Sequence, residues 1–374
     1  MDGMVEAADG FDQISAPSRV AGPDEGIGVD ELQLATRNHG MPLEALRYDI
    51  TPVGLHYLLV HYDIPAVDSA EWRLTIDGAV RRPVSLTLEE LRGRSAVTMP
   101  VTLECAGNGR ARLLPRPVSQ PWLNEAVGTA QWTGTPLGAL LAEAEPESDA
   151  VDVVFTGADH GIERGFEQDY QRGLPLADAM RDEVLLAYQM NGLALPPQHG
   201  FPLRLVVPGW YGMTQVKWLR SITVTDRPFT GFQNATAYRL KQHPDEPGDP
   251  VTRVRPRALM VPPGFPDFMS RQRTIRPGGH QLVGRAWSGQ ALVSRVEVSV
   301  DDGATWTDAG LEPAVGPWAW SRWTYRWNVA DTGRYVLLAR ASDVAGNVQP
   351  VDAGWNLQGM ANNSAQRVVV HVQP

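Results

Sequence analysis

From about residue 50 to residue 235 the hydrophobic pattern switches repeatedly between a two-residue and a helical period. Trp72–Ile76 alternates as a strand and is closed by Asp77-Gly78. Thr87-Leu88-Glu89-Glu90 has the spacing of a capping box and predicts a short helix. Thr135-Pro136 places a cap and an N1 proline before the helical run Leu137–Glu143. Val151–Phe155 reads as a β-branched strand, and Val184–Met190, Asn191-Gly192 and Leu193–Leu195 as a hairpin. Elements of both kinds occur without a regular βαβ succession, so the expected class is α+β.

Between Lys241 and Phe268 the pattern is broken by seven prolines, at 244, 247, 250, 256, 262, 263 and 266, which is the composition of a linker. Beyond it the helical signal is gone. Leu292–Val300 alternates and turns at Asp301-Asp302-Gly303, and Tyr335–Arg340 and Arg367–Val372 are further short strands. Residues from about 265 onward therefore read as a β-sandwich. Seven of the 12 tryptophans fall in this last third, which suits either an aromatic core or a subunit interface. Residues 1–30 are rich in Gly, Asp, Glu and Ala without periodicity and read as a mobile tail. The expected organisation is a tail over 1–30, a first domain over 31–249 and a sandwich over 250–374.

Composition narrows the function. A chain of 374 residues with 43% hydrophobic residues can bury two substantial cores. A net charge of −10 argues against a nucleic-acid partner and means that any anion site is built locally, against the global field. No apolar run approaches the 18 or so residues of a membrane span. The first residues lack a basic stretch followed by an apolar one, and Arg81-Arg82 lies too far inside for a twin-arginine signal, so the expectation is a cytoplasmic protein.

The chemistry centres on Cys105, the single cysteine, in Thr102-Leu103-Glu104-Cys105-Ala106-Gly107-Asn108-Gly109-Arg110. One thiol can form neither an internal disulfide nor a cysteine-rich zinc site, so it is either an inert core residue or a thiolate kept for chemistry. The run LECAGNGR resembles the molybdenum-ligating segment of the sulfite oxidase family. Val184–Val224, with HGFPLR and QVKW, resembles that family's pterin-binding core. Ala286-Trp287-Ser288-Gly289, Val296–Trp306 and Trp355-Asn356-Leu357 resemble its carboxy-terminal domain. The resemblance is co-linear over about residues 50 to 374. It implies a sulfite-oxidase-like molybdopterin domain followed by an immunoglobulin-like β-sandwich, a molybdenum–molybdopterin cofactor bound through Cys105, and a homodimer formed through the sandwich.

On that resemblance Asp159, His199, Arg204, Gln215, Val216 and Lys217 take cofactor-binding positions, as does the strand Tyr57-Leu58-Leu59-Val60-His61. Arg and Lys forks, imidazoles and amides are what an anionic, phosphate-bearing cofactor requires. Arg37-Asn38-His39 echoes a family triplet but lies too far upstream, so the register that aligns His61 and Leu59 is preferred.

The family's substrate pocket has three arginines, a tryptophan and a tyrosine. Here Arg110 and Trp122 match, whereas Leu59 and Gln358 stand at arginine positions and Phe229 at the tyrosine. Arg322 or Arg112 could refill the pocket. With two charges and a hydroxyl missing, the expected reaction is two-electron oxygen-atom transfer on a small sulfur- or nitrogen-oxo compound rather than on sulfite. The alternatives are a sulfite dehydrogenase with a rearranged anion pocket and a catalytically silent homologue acting as an interaction module. One cysteine cannot form a CxxCH haem site, so electrons are expected to pass to or from a separate protein such as a cytochrome.

Overall fold

The computed structural model describes residues 19–374. Residues 1–18 of the expected tail lie outside the described residues. From Arg19 onward the expectation of a tail fails. The Ala21 N–H bonds the Arg116 carbonyl at 2.8 Å, and the Val118 N–H bonds that of Arg19 at 2.9 Å. Arg116 pairs with the buried Glu31 in the first turn of α1 (Val29–Arg37). Polar contacts to a distant loop fix this segment, and an apolar period does not register them.

The first domain contains β1 (Arg73–Gly78), β2 (Val84–Thr87), β3 (Val97–Glu104), β4 (Val127–Pro136), β5 (Asp152–Glu163), β6 (Phe166–Pro175), β7 (Leu185–Met190), β8 (Leu193–Ala194), β9 (Arg204–Val206) and β10 (Leu219–Thr225). One sheet has the order β2-β1-β10-β5-β6, with β1 and β10 parallel. The other has the antiparallel order β3-β4-β7-β8, with β9 also on β7. The helices α2 (Leu88–Arg92), α3 (Leu137–Ala144) and α4 (Leu176–Ala179) are short, and the domain is dominated by its sheets. Leu74, Ile76, Leu141, Leu186, Leu205 and Ile222 share one buried core.

Local signals play out in two ways. At α2 the Glu90 N–H donates to Thr87 Oγ1 at 3.1 Å while the Thr87 N–H donates to Glu90 Oε2 at 2.8 Å, the reciprocal box that the spacing predicts. At the β7–β8 turn Asn191 and Gly192 have φ of 52° and 80°, the conformation of a two-residue hairpin. At α3 the expectation shifts by one residue. Pro136 itself is the cap, and Thr135 belongs to β4, where its hydroxyl donates to the Leu91 carbonyl at 3.1 Å.

The second domain follows a small ribbon, β11 (Arg239–Leu240) with β12 (Asp249–Pro250). Its strands are β13 (Arg257–Met260), β14 (Phe265–Pro266), β15 (Arg273–Ile275), β16 (Gly278–Trp287), β17 (Val293–Ser299), β18 (Thr307–Asp308), β19 (Gly310–Leu311), β20 (Ser321–Val329), β21 (Gly333–Asp343) and β22 (Val368–Val372). Two sheets, β13-β16-β20-β19 and β14-β15-β22-β21-β17-β18, bury Ala258, Met260, Leu282 and Trp323 against Val296, Val298, Leu337 and Val370. The linker expectation fails at β13, whose four residues are all buried. The prolines at 256, 262 and 263 flank this strand and interrupt none of its ladder, so the sequence around it looks like linker while the strand itself is core.

The tryptophan-rich third serves both the sandwich core and the junction with the first domain. Trp323 and Trp327 fill the sandwich, while Trp287 and Trp320 join a cluster with Met41, Val127, Tyr211 and Ala361. Trp320 N–H donates to Thr102 Oγ1 at 2.9 Å, and Thr102 N–H donates to the Trp318 carbonyl at 2.9 Å. Trp287 Nε1 donates to Glu104 Oε2 at 2.7 Å, and Arg257 Nε lies 2.8 Å from Glu104 Oε1. Both members of that ion pair are 1% exposed. Removing one partner of such a pair costs about 3–5 kcal/mol, because the other charge is left desolvated. Arg257→Leu is therefore expected to destabilise the chain by about that amount in denaturant unfolding. Adding Glu104→Gln to that variant, which removes the orphaned charge and keeps an acceptor, should recover part of the loss. A double variant no more stable than the single would show that the charge pair does not govern the junction.

Candidate active site

Strand β3 delivers Cys105 to the end of a cleft whose empty space, open mouth included, is about 640 Å³. Two glycines make the following turn possible. A Cβ at Gly107 would lie 2.6 Å from the Arg110 guanidinium, so a larger residue there would displace that side chain from its present place. Gly109 has a φ of 91°, in the left-handed region. Asn108 ties the turn down: its Nδ2 donates to Glu104 Oε1 at 3.0 Å, and its Oδ1 accepts from the Ala126 N–H at 3.1 Å.

Tyr57, Leu58, Leu59 and His61 form one wall of the cleft with Cys105, and Asp159, His199, Arg204, Gln215 and Lys217 bring the others. Val60 and Val216 are buried behind the lining: the Val60 N–H donates to Asn38 Oδ1 at 2.7 Å, and Val216 packs in the first-domain core. Gln215 lines the cleft but its side chain is committed to backbone, bonding Val207 N–H at 2.6 Å and the Val207 and Trp210 carbonyls at 2.9 and 3.1 Å. The Arg37-Asn38-His39 triplet is outside the lining, yet it is no idle echo. His39 and Leu58 exchange backbone bonds at 3.2 and 2.8 Å, and Arg37 donates to the Tyr62 carbonyl, so the triplet braces the segment that carries Leu59 and His61, which is irregular, with one isolated bridge at Leu58, rather than the expected strand.

The cleft concentrates basic side chains in a protected place. Lys217 Nζ donates to the Leu59 carbonyl at 2.7 Å and the Gln198 carbonyl at 3.3 Å. Burial, reinforced by Arg204, pulls its pKa down to about 7, with Asp159 opposing. Arg204 donates to the His199 and Gln215 carbonyls at 3.0 and 3.3 Å and lies over Trp132, 4.7 Å from the ring centre. Burial lowers His56 to about 4 and His199 to about 2, so both imidazoles are neutral near pH 7 and act as hydrogen-bonding groups. Three buried atoms at this cleft, His56 Nε2, Asp159 Oδ1 and Arg204 Nε, have no hydrogen-bond partner among the described residues. Unmet polar atoms of this kind are costly and mark a surface that awaits a polar ligand.

A second group of residues surrounds the Cys105 sulfur. Burial pushes the thiol up, while Arg110, the Gly107 amide and the Trp122 indole N–H all favour the thiolate. Arg110 and Trp122 are both buried. Arg110 Nε donates to the Gln358 carbonyl at 2.7 Å and Nη1 to the Gln120 carbonyl at 3.2 Å, so Gln358 meets Arg110 through its backbone. Phe229 does not belong here. It packs on Gly173 and Gly231, away from the cleft, and its N–H donates to Asp152 Oδ2 at 2.8 Å. The aromatic hydroxyl comes instead from Tyr238, which lines the cleft and meets His61 Nε2 at 2.8 Å. Gln233–Ala237 is a π-helical turn, whose wider winding sets where Tyr238 falls relative to Phe229. Arg322 and Arg112 do not refill the pocket: Arg322 is exposed beside Glu312 at 3.9 Å, and Arg112 is exposed too. Sequence reasoning also missed His56 and Tyr170, which line the cleft. His56 stands one residue before the Tyr57–His61 segment, and Tyr170 carries no motif.

Among the described residues no group of three or more His, Cys, Asp or Glu side chains is placed to hold a metal ion. A metal here would take its one protein thiolate and the rest of its ligands from elsewhere. Among the described residues no helix is long and apolar enough to cross a membrane.

Comparison with known proteins agrees with this geometry. Residues 61–233 match the oxidoreductase molybdopterin binding domain and residues 267–373 the Mo-co oxidoreductase dimerisation domain. Chicken sulfite oxidase (Gallus gallus) is 34% identical over 344 residues, covering 85% of this chain and 72% of that protein. The NADH nitrate reductase of Volvox carteri is 34% identical over 360 residues, 87% of this chain, which spans 40% of the reductase. The crystal structure of the sulfane dehydrogenase SoxCD from Paracoccus pantotrophus superposes with a TM-score of 0.77 at 25% identity, covering 100% of this chain and 96% of that one.

The buried Lys217 gives a stability test. Its folded pKa of about 7 lies below the ordinary 10.5, so the unfolded chain binds the extra proton between those values, and ligand-free protein loses stability as pH falls from about 10.5 to about 7. Lys217→Met should therefore raise the Tm of ligand-free protein most at pH 6 and progressively less toward pH 10. A gain of about 2–4 °C would correspond to roughly 1 kcal/mol in a domain of this size. A pH-independent effect in thermal melts would show that the ammonium is not strained by burial.

Proposed function

We propose that this chain, which belongs to the sulfite oxidase family of molybdopterin-dependent oxidoreductases, carries out two-electron oxygen-atom transfer on a small sulfur- or nitrogen-oxo compound. The observation that carries this reading is the placement of the sole cysteine at the end of a cleft lined by Arg204, Lys217 and His199. The family's cofactor is molybdenum–molybdopterin. These residues fit it: His56 Nε2, Arg204 Nε and the Lys217 ammonium are polar groups suited to an anionic, phosphate-bearing ring system, and the buried thiol is a soft ligand. Bound there, the group supplies the oxo ligand and the two-electron couple of the reaction.

The chain's own residues divide the remaining work. Cys105 would ligate the metal as thiolate, a state that burial opposes and that Arg110 and the Gly107 amide favour. Arg204, Lys217, His199, Asp159 and the segment Tyr57–His61 would hold and orient the pterin. Tyr238, hydrogen-bonded to His61, offers a hydroxyl to the substrate. Leu59 keeps one wall apolar, and Gln358 anchors Arg110 through its carbonyl.

A second reading is a sulfite dehydrogenase with a rearranged anion pocket. The presence of Tyr238 in the cleft favours it, because the hydroxyl thought to be missing is supplied from another position. A silent homologue is disfavoured, since packing alone does not account for partnerless buried polar atoms along a cleft wall. The second domain, two sheets packed face to face, is best read as an immunoglobulin-like sandwich that pairs two copies of the chain, as its match to the dimerisation domain supports. Electrons are exchanged with a separate carrier protein such as a cytochrome.

Three measurements test this. Metal analysis with X-ray absorption should find one molybdenum per chain and one fewer sulfur ligand in Cys105→Ser, with activity lost and the fold retained. A fully active serine variant would sink the assignment. Light scattering of the full chain should give twice the 41.0 kDa monomer mass. Steady-state kinetics with sulfite, nitrate, sulfoxides and N-oxides should rank sulfite below another oxo compound. A kcat/KM for sulfite of about 10⁶ M⁻¹s⁻¹, well inside the usual enzyme range, would give the second reading the decision.

A further inference from the structure

A phenol and an imidazole meet on one wall of the cleft. His61 Nε2 and the Tyr238 hydroxyl lie 2.8 Å apart, and both side chains line the cleft. Tyr238 is buried and His61 half-buried, so the pair runs from the interior toward water. The polar groups around it are committed elsewhere. Tyr170, whose ring centre is 4.9 Å from that of His61, donates its hydroxyl to the Met213 carbonyl at 2.7 Å. The Tyr62 hydroxyl, on the residue after His61, donates to Glu163 Oε2 at 3.4 Å and accepts from Gln233 Nε2 at 3.3 Å. Arg172 lies over the Tyr238 ring, 5.8 Å from its centre, but its guanidinium donates to the Gln233 and Val251 carbonyls at 2.6 and 3.1 Å. The Tyr238 hydroxyl is thus shared between His61 and whatever occupies the cleft.

Transfer of one oxygen atom with two electrons also moves two protons: reducing an oxo compound with release of water takes them up, and oxidation by water gives them back. A phenol hydroxyl both donates and accepts, and a neutral imidazole donates from one nitrogen and accepts at the other. Burial lowers the pKa of His61, with Glu163 opposing and Lys217, Arg37 and Arg110 acting in the same sense as burial, so the ring is neutral near pH 7. We infer that His61 is a positioning residue that holds the Tyr238 hydroxyl for the substrate oxygen and relays protons between that hydroxyl and water. This rests on the functional reading above and deepens it. In the reducing sense the Tyr238 O–H bond breaks as an O–H bond forms on the substrate oxygen. The Nε2 proton of His61 then passes to the phenolic oxygen, and Nδ1 takes a proton from water. A second pass supplies the second proton, and in the oxidising sense the same steps run backwards. The two electrons come from or go to the separate carrier protein, so the pair moves protons alone.

The test uses the purified full chain, with molybdenum content measured on every sample. Isotope-edited NMR of labelled histidines in ligand-free protein should show His61 neutral at pH 7, and Tyr238→Phe should shift its Nε2 resonance. Turnover is then followed with trimethylamine N-oxide, dimethyl sulfoxide, nitrate and sulfite in turn, in water and in deuterium oxide, with a soluble dye as electron carrier. His61→Gln keeps an amide that can bond the hydroxyl but passes no proton. It should hold KM and lose about a hundredfold in kcat, the scale of one proton-transfer group. Its solvent isotope effect on kcat should exceed that of native protein, because the proton step becomes slower; structural damage alone lowers kcat without that rise. Native-like kcat in His61→Gln, a fall in kcat with no rise in the isotope effect, or an unmoved Nε2 resonance in Tyr238→Phe overturns the proposal. Native, molybdenum-loaded protein that turns over none of the four compounds would overturn the functional reading and the relay with it, while the resonance shift would still decide whether the two side chains are paired.

Discussion

Glu104 is buried one residue before the only thiol of the chain, and donors from both domains converge on its carboxylate. Asn108 reaches it from the cysteine turn, while Trp287 and Arg257 reach it from the second domain. A carboxylate in that position would be expelled by its own desolvation if any of these were poorly placed. Satisfying it therefore fixes three things together: the end of β3, the path of the turn through Gly107 and Gly109, and the seating of the sandwich against the first domain. Thr102, two residues earlier, repeats the arrangement with Trp318 and Trp320. The position of the Cys105 sulfur is thus set as much by residues beyond 250 as by its own motif. This explains why the two domains form a joint core rather than meeting through a flexible tether.

The cleft follows the opposite rule. Its basic groups are held by carbonyls, as Lys217 is by Leu59 and Gln198, and Arg204 by His199 and Gln215. Carbonyl oxygens satisfy donors without cancelling charge, so positive potential survives in a chain whose net charge is −10. Burial suppresses protonation of His56 and His199, which limits that potential to Arg204 and Lys217 near neutral pH. A protein built in this way sacrifices stability while empty and regains it when an anion is bound. The partnerless atoms on the wall are the same effect on a smaller scale.

How much of this was legible in the sequence depends on the range of the interaction that fixes each residue. The Thr87–Glu90 box and the Asn191-Gly192 turn are closed by neighbours three residues apart or fewer, and the sequence pattern identifies both. The cofactor-facing residues were found through motif resemblance, and Cys105, Asp159, His199, Arg204 and Lys217 do share one cleft. What escaped was set by distant contacts. The strand at Arg257–Met260 is a strand because β16 pairs with it, while its proline flanks mask it. Residues 19–30 are ordered by Arg116, far along the chain. Phe229 stands at the family's tyrosine position in the sequence, but the π-helical turn after it lets Tyr238 occupy the cleft.

The substrate pocket shows the same separation of residue position from chemical role. Leu59 stands where a cation is expected from the motif, and counting charges by alignment leaves the pocket short. A pocket, however, responds to charge in space and is indifferent to the strand that delivers it. The hydroxyl missing at Phe229 is supplied by Tyr238, which the π-helical turn Gln233–Ala237 brings into the cleft against His61 Nε2 at 2.8 Å. A role lost at one sequence position is thus met from another, while the apolar Leu59 wall remains in place.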